Sequence, residues 1–139
     1  MAIYSDTISF STQGNTDVID ITPQIEAKLS KLALRDGFVV IHALGSTGAV
    51  TTCEYEPGLV RDLEDIFDRL IPADGYEHNE TWGDANGHSH LRASLVGPSI
   101  TVTFKNKKLR LGTWQQVVFI DFDTHARQRE VAVQFVGEQ

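Results

Sequence analysis

The stretch TPQIEAKLSKLALRDGFVVI, residues 22–41, decides the type of fold, because a helical pattern in it passes directly into a strand pattern. Thr22 and Pro23 form a typical helix start, with Thr22 as the N-cap and Pro23 at the first helical position. The apolar residues that follow recur at helical spacing, and they are Ile25, Leu29, Leu32 and Ala33. Asp36-Gly37 supplies a stop, and the continuous apolar run 38–41 is typical of a central strand. We therefore predict a helix from Pro23 to about Arg35, followed by a buried strand.

The flanking sequence adds one long helix, one short helix and several strands. Pro57-Gly58 opens the second helix, whose apolar stripe is Leu59, Leu63, Ile66, Phe67 and Leu70. A short third helix is predicted from about His90 to Val96, with Ser89 as its cap and Gly97-Pro98 as its end. Alternating or continuous apolar runs predict strands at residues 7–10, 18–21, 38–41, 49–55, 100–104, 108–111, 115–123 and 130–136. These elements predict one α+β domain over residues 1–139.

Length, charge and cysteine content narrow the class of protein. A chain of 139 residues fits one domain and can bury a core without metal or disulfide bonds. The net charge of −7 argues against nucleic acid, and the short basic cluster Lys105–Arg110 straddles a predicted turn, as a solvated hairpin tip does. The start of the sequence lacks a signal-peptide pattern, no apolar run approaches about 20 residues, and Cys53 has no partner for an internal disulfide. These features predict a cytoplasmic protein with no membrane partner.

The polar segment 71–87 and the residues just after it hold the main candidate site. His78, His88 and His90 lie close together in sequence, among Glu77, Glu80, Asp84 and Asn86, and imidazole with carboxylate is the usual ligand set for zinc. An extended segment would place His88 and His90 on one side, which suits chelation. A helix capped by Ser89 would hold only His90 and would place both rings near a positive helix terminus, which suits a phosphate or carboxylate. A third alternative is three loop histidines that are exposed or simply hydrogen-bonded.

Four other features could contribute to a site, and each also has a purely structural explanation. Glu54 and Asp62 stand near the ends of a strand and a helix, where carboxylates could reach Mg²⁺ or could simply be solvated. Cys53 has no adjacent base and follows the pattern of an inert, buried thiol. The segment Gly45–Gly48 could cradle an oxyanion, but it lacks the lysine of a phosphate-binding loop and fits a plain turn. Trp114, at a strand start, is expected in the core.

Five segments resemble the YjbQ-like family in order and spacing, and they are Thr47–Glu54, Asp62-Leu63, Tyr76–His78, Asp84–Ser99 and Leu111–Gln115. The most specific are His88–Ser99 and Gly112–Gln115, and the match spans nearly the whole chain. The resemblance implies a single α+β domain in which a mixed, strongly curved sheet packs against two main helices plus a short third. It also implies a homotrimer with a site near the subunit boundary, around the family's histidines.

The resemblance further implies the activity of a secondary thiamine-phosphate synthase, a transferase that occurs as an accessory activity in some members. Such an enzyme joins hydroxymethylpyrimidine diphosphate to thiazole phosphate and releases pyrophosphate. Carried over to this chain, the expected catalytic residues are His78, His90, Arg92 and Glu54, and Arg92 is also expected to hold phosphate oxygens together with Ser94 and Ser99. The expected substrate- and phosphate-binding residues are Thr47, Asn86, Ser94, Ser99, Thr113, Trp114 and Gln115. The expected metal ligands are His78, His88, His90, Asp62 and Asp84, for Mg²⁺ or Zn²⁺.

One departure from the family concerns a histidine. Many relatives have His-Thr-Thr or His-Thr-Ser where this chain has Gly45-Ser46-Thr47, so one family histidine is missing, and His88 could fill its space. Two alternative functions use the same residues. One is a metal-dependent hydrolase with a histidine-rich zinc site, and the other is a non-catalytic trimer that binds a small phosphorylated or heteroaromatic metabolite. Tightly bound zinc would indicate the hydrolase and Mg²⁺ dependence the synthase, whereas the binder requires neither metal.

Overall fold

The chain forms eight strands and four helices in the computed structural model, which describes all of residues 1–139. In chain order the elements are β1 (Ala2–Thr12), β2 (Asp17–Asp20), α1 (Thr22–Ser30), β3 (Asp36–Ala43), β4 (Gly48–Cys53), α2 (Pro57–Leu70), α3 (Glu77–Trp82), α4 (Gly87–Val96), β5 (Ser99–Lys105), β6 (Lys108–Leu109), β7 (Gln116–Asp121) and β8 (Arg127–Glu138). The α+β class expected from the sequence is confirmed.

The strands form two sheets. One has five strands in the order β1-β8-β3-β5-β6, and the other has three in the order β2-β7-β4. Every strand pair is antiparallel, so the expectation of a mixed sheet was wrong. Only β5 and β6 are consecutive strands that pair as a hairpin, and every other connection, including those through the helices, carries the chain from one sheet to the other. The long pair β1–β8 keeps one register throughout, with Ile8 opposite Val131.

Strand β7 lies between two hydrophobic clusters, and its alternate side chains enter one cluster or the other. This position explains why its sequence is a continuous apolar run. Val117 and Phe119 face the larger cluster, which also contains α1 and the inner face of the five-stranded sheet. Val118, Ile120 and Phe122 face the smaller cluster, to which α2 and α4 contribute Phe67 and Ala93. Successive side chains of a strand point to opposite faces, so a strand covered on both sides must be apolar at nearly every position.

Helix α1 begins where the sequence predicted but ends earlier. Pro23 lies in its first turn, and the helix stops at Ser30 rather than near Arg35. Thr22 is not the N-cap, because its hydroxyl accepts a hydrogen bond from the Val117 backbone N–H at 2.8 Å and so anchors the helix to β7. Leu34 is fully buried in the larger cluster from the irregular segment that follows, so its burial no longer depends on a helical face.

The other helices also differ from prediction in their boundaries. Helix α2 is confirmed, and the Glu56 carboxylate caps it by accepting from the N–H groups of Gly58 and Leu59. The predicted polar loop contains the short helix α3, which ends at Gly83 in a left-handed conformation. Helix α4 starts at Gly87 instead of near His90, so Ser89 lies inside the helix and does not cap it.

Two further findings concern the β5–β6 turn and the helices. The basic cluster forms the tip of the β5–β6 hairpin, where Asn106 and Lys107 adopt positive φ, as predicted for a tight turn. None of the four helices is both long enough and apolar enough to span a lipid bilayer.

Candidate functional site

A polar cleft of about 430 Å³ opens at one end of the two sheets. Three parts of the chain form it, namely the turn after β3, the start of α4, and the end of β7 with the beginning of β8. Its lining residues are Leu44, Gly45, Ser46, Thr47, Asn86, His90, Asp123, Arg127, Gln128, Arg129 and Glu130. The volume is in the range of small-molecule sites. Of the residues expected from the sequence, the cleft brings together Thr47, Asn86 and His90.

The floor of the cleft is a buried ion pair. Arg129 donates from Nε to Asp121 Oδ2 at 2.7 Å and from Nη2 to Asp121 Oδ1 at 2.8 Å. Thr12 also donates to Asp121 from the edge strand β1. Burial raises the pKa of the Asp121 carboxyl, but the hydrogen bonds from Arg129, Thr12 and the Asp123 N–H outweigh it and leave the pKa below its usual range. The pair therefore stays ionised and links β7 to β8.

Asp123 joins the three walls of the cleft. Its carboxylate accepts from Thr47 Oγ1 at 3.1 Å, Asn86 Nδ2 at 3.4 Å, the Thr124 N–H at 2.8 Å and Arg127 Nη1 at 2.5 Å. Burial acts to raise the pKa of Asp123, yet these hydrogen bonds lower it from 3.8 to about 2. Asp123 is thus a permanent anion whose oxygens are occupied by donors of the chain.

Close packing of α3 against α4 places two histidines together. Gly87 permits this contact, since a Cβ there would lie 2.9 Å from both Asn79 Oδ1 and Tyr76 Cβ. The Gly87 N–H also donates to Asn79 Oδ1 at 2.9 Å. As a result the rings of His78 and His90 lie with their centroids 4.4 Å apart. The helix α3 that makes this possible could not be predicted from periodicity because it is only six residues long.

The environment of His90 favours a neutral imidazole. Burial, followed by the neighbouring His78 ring, lowers the pKa of His90 below its ordinary value of 6.5. The Nδ1 atom of His78 is buried and makes no hydrogen bond. The nearest carboxylate oxygen across from it is Asp84 Oδ1, at 3.8 Å. Because His90 lines the cleft, its neutral ring can exchange a proton with a molecule bound there.

His88 lies apart from this pair. Residues two apart on a helix point about 200° from each other, so His88 and His90 face opposite sides of α4. Both geometries considered for His88-x-His90, the extended one and the one capped by Ser89, were therefore wrong. His88 is buried with its Nδ1 unpartnered, and burial followed by the Arg92 charge lowers its pKa. It does not line the cleft beside Gly45, so it does not replace the missing family histidine.

Arg92 is buried and already engaged within the chain. Its Nε and Nη2 donate to the Ile71 carbonyl at 3.0 and 2.6 Å, and Nη2 lies 3.3 Å from Asp68 Oδ1. These bonds close the end of α2 and fix the start of the segment that leads to α3. Ser94 is exposed beside Gly45 and Ser46 in a small adjoining depression of about 200 Å³. Arg92 thus positions the chain near the histidine pair without lining the cleft.

The Gly112–Gln115 run occupies another surface. Gln115 donates from Nε2 to Thr52 Oγ1 at 3.1 Å and accepts the Gly112 N–H, which fixes the turn before β7. Gln115 borders a separate depression of about 340 Å³ along β4 and β5. Trp114 is 73% exposed, so the expectation that it belongs to the core was wrong. Thr113 is likewise exposed, as is Ser99 at the start of β5.

The expected metal ligands do not meet within one chain. Glu54, Asp62 and Asp84 are exposed, and no three His, Cys, Asp or Glu side chains are arranged to hold a metal ion. His78, His90 and Asp84 equal in number the three protein ligands typical of a catalytic zinc site, but their donor atoms do not converge on one point. The residues of a single chain therefore do not fit a resident Mg²⁺ or Zn²⁺ site.

Cys53 has the low reactivity that the sequence predicted but is less buried than expected. Its side chain is half-buried, and burial, followed by the charges of Asp20 and Glu54, raises the pKa of its thiol. A thiol with a raised pKa is a poor nucleophile at neutral pH.

Sequence reasoning missed the four charged residues at the cleft floor, Asp121, Asp123, Arg127 and Arg129. A signal for them existed, since carboxylates and guanidinium groups each recur two residues apart on either side of the predicted turn. In strands that spacing places both members of each pair on one face. Because Asp121 ends a continuous apolar run in a strand that is covered on both sides, its side chain is buried.

The chain is similar to a known protein family over almost its whole length. Residues 6–138 match the family model described as UPF0047 protein YjbQ-like. A UPF0047 protein of Archaeoglobus fulgidus is 36% identical over 125 residues, which is 89% of this chain and 95% of that protein. The UPF0047 protein YugU of Bacillus subtilis is 31% identical, covering 94% and 98% of the two chains. The crystal structure of a YbjQ-like protein of unknown function from Sulfolobus solfataricus superimposes with a TM-score of 0.92 at 30% identity, covering 99% of each chain.

Proposed function

Because the chain belongs to the YjbQ-like family, we propose that it is a cytoplasmic transferase of the thiamine-phosphate synthase type that works in the cleft beside His78 and His90. In this reaction the bond between the pyrimidine methylene carbon and the diphosphate oxygen breaks, and the electron pair leaves with pyrophosphate. The ring nitrogen of the thiazole phosphate then bonds to the methylene carbon. The family resemblance supplies the reaction, and the geometry of the cleft supports a small, polar substrate.

The observation that carries the proposal is the close pair of imidazoles, of which His90 lines the polar cleft. The His78 and His90 rings are 4.4 Å apart, and the lowered pKa of His90 keeps its ring neutral at pH 7. A neutral imidazole can donate a hydrogen bond to a leaving oxygen and can accept a proton in turn. Thr47 and Asn86 hold the Asp123 carboxylate between the walls and so keep the cleft in shape.

The proposal includes a homotrimer in which a neighbouring subunit completes the site. Within one chain the cleft and the exposed Gly112–Gln115 run lie on separate depressions, although both belong to the family-like signature. An exposed Trp114 from a neighbour could cover a heteroaromatic ring in the cleft. Since the ligands of one chain do not fit a metal site, no step is assigned to a metal. The hydrolase alternative would need a third ligand from a neighbouring subunit.

The second candidate is non-catalytic binding of a phosphorylated or heteroaromatic metabolite. It is favoured because the carboxylates of Asp121 and Asp123 already accept hydrogen bonds from other side chains. Neither carboxylate is therefore free to act as a base. The two candidates share the cleft and differ in whether a bond is broken.

The test is a turnover assay with hydroxymethylpyrimidine diphosphate and thiazole phosphate in the presence of Mg²⁺. Thiamine phosphate is detected by mass spectrometry and pyrophosphate by a coupled assay. We expect turnover in the parent, a 10²- to 10⁴-fold loss, in order of magnitude, in His90→Ala, and no change in His125→Ala, which alters an exposed histidine. Substrate binding without product formation in the parent would remove the synthase and leave the binder.

A further inference from the structure

We infer that the end of the cleft formed by Gly45, Ser46, Arg127 and Arg129 is an oxyanion-binding site that takes a phosphoryl or diphosphoryl group. Neither Arg127 nor Arg129 belongs to the five segments that resemble the YjbQ-like family. The inference deepens the proposed function and rests on it only for the identity of the molecule that carries the anion.

The first support is the free edge of a buried guanidinium group. Arg129 is 5% exposed, and two of its nitrogens, Nε and Nη2, donate to Asp121 and Thr47. Its third nitrogen, Nη1, donates to no acceptor of the chain. A Cβ on Gly45 would lie 3.3 Å from this Nη1, so the missing side chain at Gly45 leaves the nitrogen uncovered at the cleft wall. A buried, oriented and unpaired donor of this kind is the usual partner of a phosphate oxygen.

The second support is the neighbouring Arg127 guanidinium, which a hydrogen bond holds in place and which still has free donors. Arg127 donates from Nη1 to Asp123, while its other nitrogens have no acceptor in the chain and its side chain is 43% exposed. Arg127 and Arg129 are two apart on β8 and both line the cleft. The same carboxylates that neutralise the two cations also orient them, which lowers the entropy cost of binding an anion between them.

The third support is the turn that faces these side chains. The backbone N–H groups of Gly45 and Ser46 and the Ser46 hydroxyl donate to no acceptor of the chain, and both residues line the cleft. Gly45 has a φ of +132°, a conformation that side chains disfavour. Consecutive unpaired N–H groups in a turn form a concavity suited to an oxyanion.

The charges that face the site set its strength. Asp121 and Asp123 are each paired with a guanidinium group, His90 is neutral at pH 7, and Glu130 is exposed at the rim. The site therefore binds through directed donors rather than through net positive charge, and the Glu130 carboxylate opposes the anion. Neutralising Glu130 should tighten binding.

The position of this site differs from the one expected from the sequence. Arg92 and Ser99 were expected to hold phosphate oxygens, but Arg92 is bound to the Ile71 carbonyl and Ser99 lies outside the cleft. Thr47 was also expected there, and it contributes indirectly by bridging Arg129 and Asp123.

The experiment is isothermal titration with inorganic pyrophosphate, and then with orthophosphate, at fixed ionic strength. We expect binding by the parent, about tenfold weaker binding by Arg127→Ala, and no detectable binding by Ser46→Glu, which places a carboxylate in the cleft from an exposed loop position. Glu130→Gln should bind several-fold more tightly. Arg61→Ala, which removes an exposed charge from α2, should bind as the parent does.

Each result decides for or against the site. No binding by the parent, or equal affinities of parent and Ser46→Glu, would overturn it. If the parent binds pyrophosphate with this pattern but makes no thiamine phosphate, the result supports the anion site and contradicts the synthase proposal. If the parent makes thiamine phosphate while Arg127→Ala and Ser46→Glu keep its KM for the diphosphate, the synthase stands and the anion site falls.

Discussion

Arg129 and Asp121 form a two-pronged ion pair in which both partners are buried, the arginine at 5% exposure and the aspartate at 0%. The pair connects β8 of the five-stranded sheet to β7 of the three-stranded sheet, beneath the cleft. Carrying two charges into the interior costs free energy, and the attraction offsets that cost only while both partners are present.

We therefore expect the loss of one partner to be severe. In Arg129→Met the Asp121 carboxylate would be buried without its countercharge, and the free energy of unfolding should fall by about 3–5 kcal/mol. Urea denaturation measures this directly. The double variant Arg129→Met/Asp121→Leu removes both charges and should recover most of the loss. A single variant within about 1 kcal/mol of the parent would mean that water reaches the carboxylate in solution.

Asp123 should make the stability depend on pH in the acid range. Its folded-state pKa is lowered from 3.8 to about 2, so the unfolded chain binds the proton more readily. The stabilisation is then fully present above pH 3.8 and is lost as the pH falls toward 2. The difference in unfolding free energy between the parent and Asp123→Asn, measured by urea denaturation at pH 6, 4 and 3, should shrink by about 1–2 kcal/mol on acidification. A difference that is constant with pH would contradict the lowered pKa.

The sequence predicted the starts of α1 and α2 and most strands well, because proline signals and apolar periodicity act within a few neighbouring residues. Pro23 and Pro57 mark the true first turns of α1 and α2. The early end of α1 was not predictable in the same way. Leu34, which lies outside the predicted stripe, is buried in the larger cluster after the helix has ended, and such tertiary burial can override the longer helix that Leu32 and Ala33 indicated.

The candidate site was predicted only in part, and the reason is again distance along the chain. The polar segment after α2 indicated His78 and His90 because histidines in such a stretch stand out by composition. The cleft floor depends on Asp121 and Arg129, which meet only when the chain turns from one sheet into the other. His88 lies in the first turn of α4, which starts at Gly87, and the missing side chain of Gly87 lets α3 approach.

Arg92 provides a test of positioning against ligand binding. Arg92→Lys keeps the charge but cannot direct two hydrogen bonds at the Ile71 carbonyl, so we expect a loss of about 1–3 kcal/mol in the free energy of unfolding. Arg61→Lys on the exposed face of α2 should stay within about 0.5 kcal/mol of the parent. An unchanged stability together with a raised KM for the diphosphate would restore Arg92 as a phosphate ligand.

The electrostatic state of the histidine pair can be measured by NMR titration of the imidazole Cε1–H signals. The pKa of His90 should lie below 6.5, and it should rise in His78→Ala because both burial and the neighbouring ring then diminish. The Cε1–H chemical shift of the exposed His125 at a given pH should be unchanged by this substitution. A His90 pKa at or above 6.5 in the parent would mean that the ring is partly charged near neutral pH and would count against the acid–base assignment.

Trp114 separates a binding role from a structural one, because it is 73% exposed and its removal costs little buried area. Trp114→Ala should leave the free energy of unfolding within about 0.5 kcal/mol of the parent. If the ring stacks on a heteroaromatic substrate in a neighbouring subunit's cleft, the same variant should raise KM for the pyrimidine substrate by about tenfold at unchanged oligomeric state. Trp82→Ala is the matched control, since that ring is 75% exposed on α3 and lies outside the Gly112–Gln115 run. Equal KM values in the parent and Trp114→Ala would show that the exposed ring does not cover the substrate, and the cleft of a single chain would then have to hold it alone.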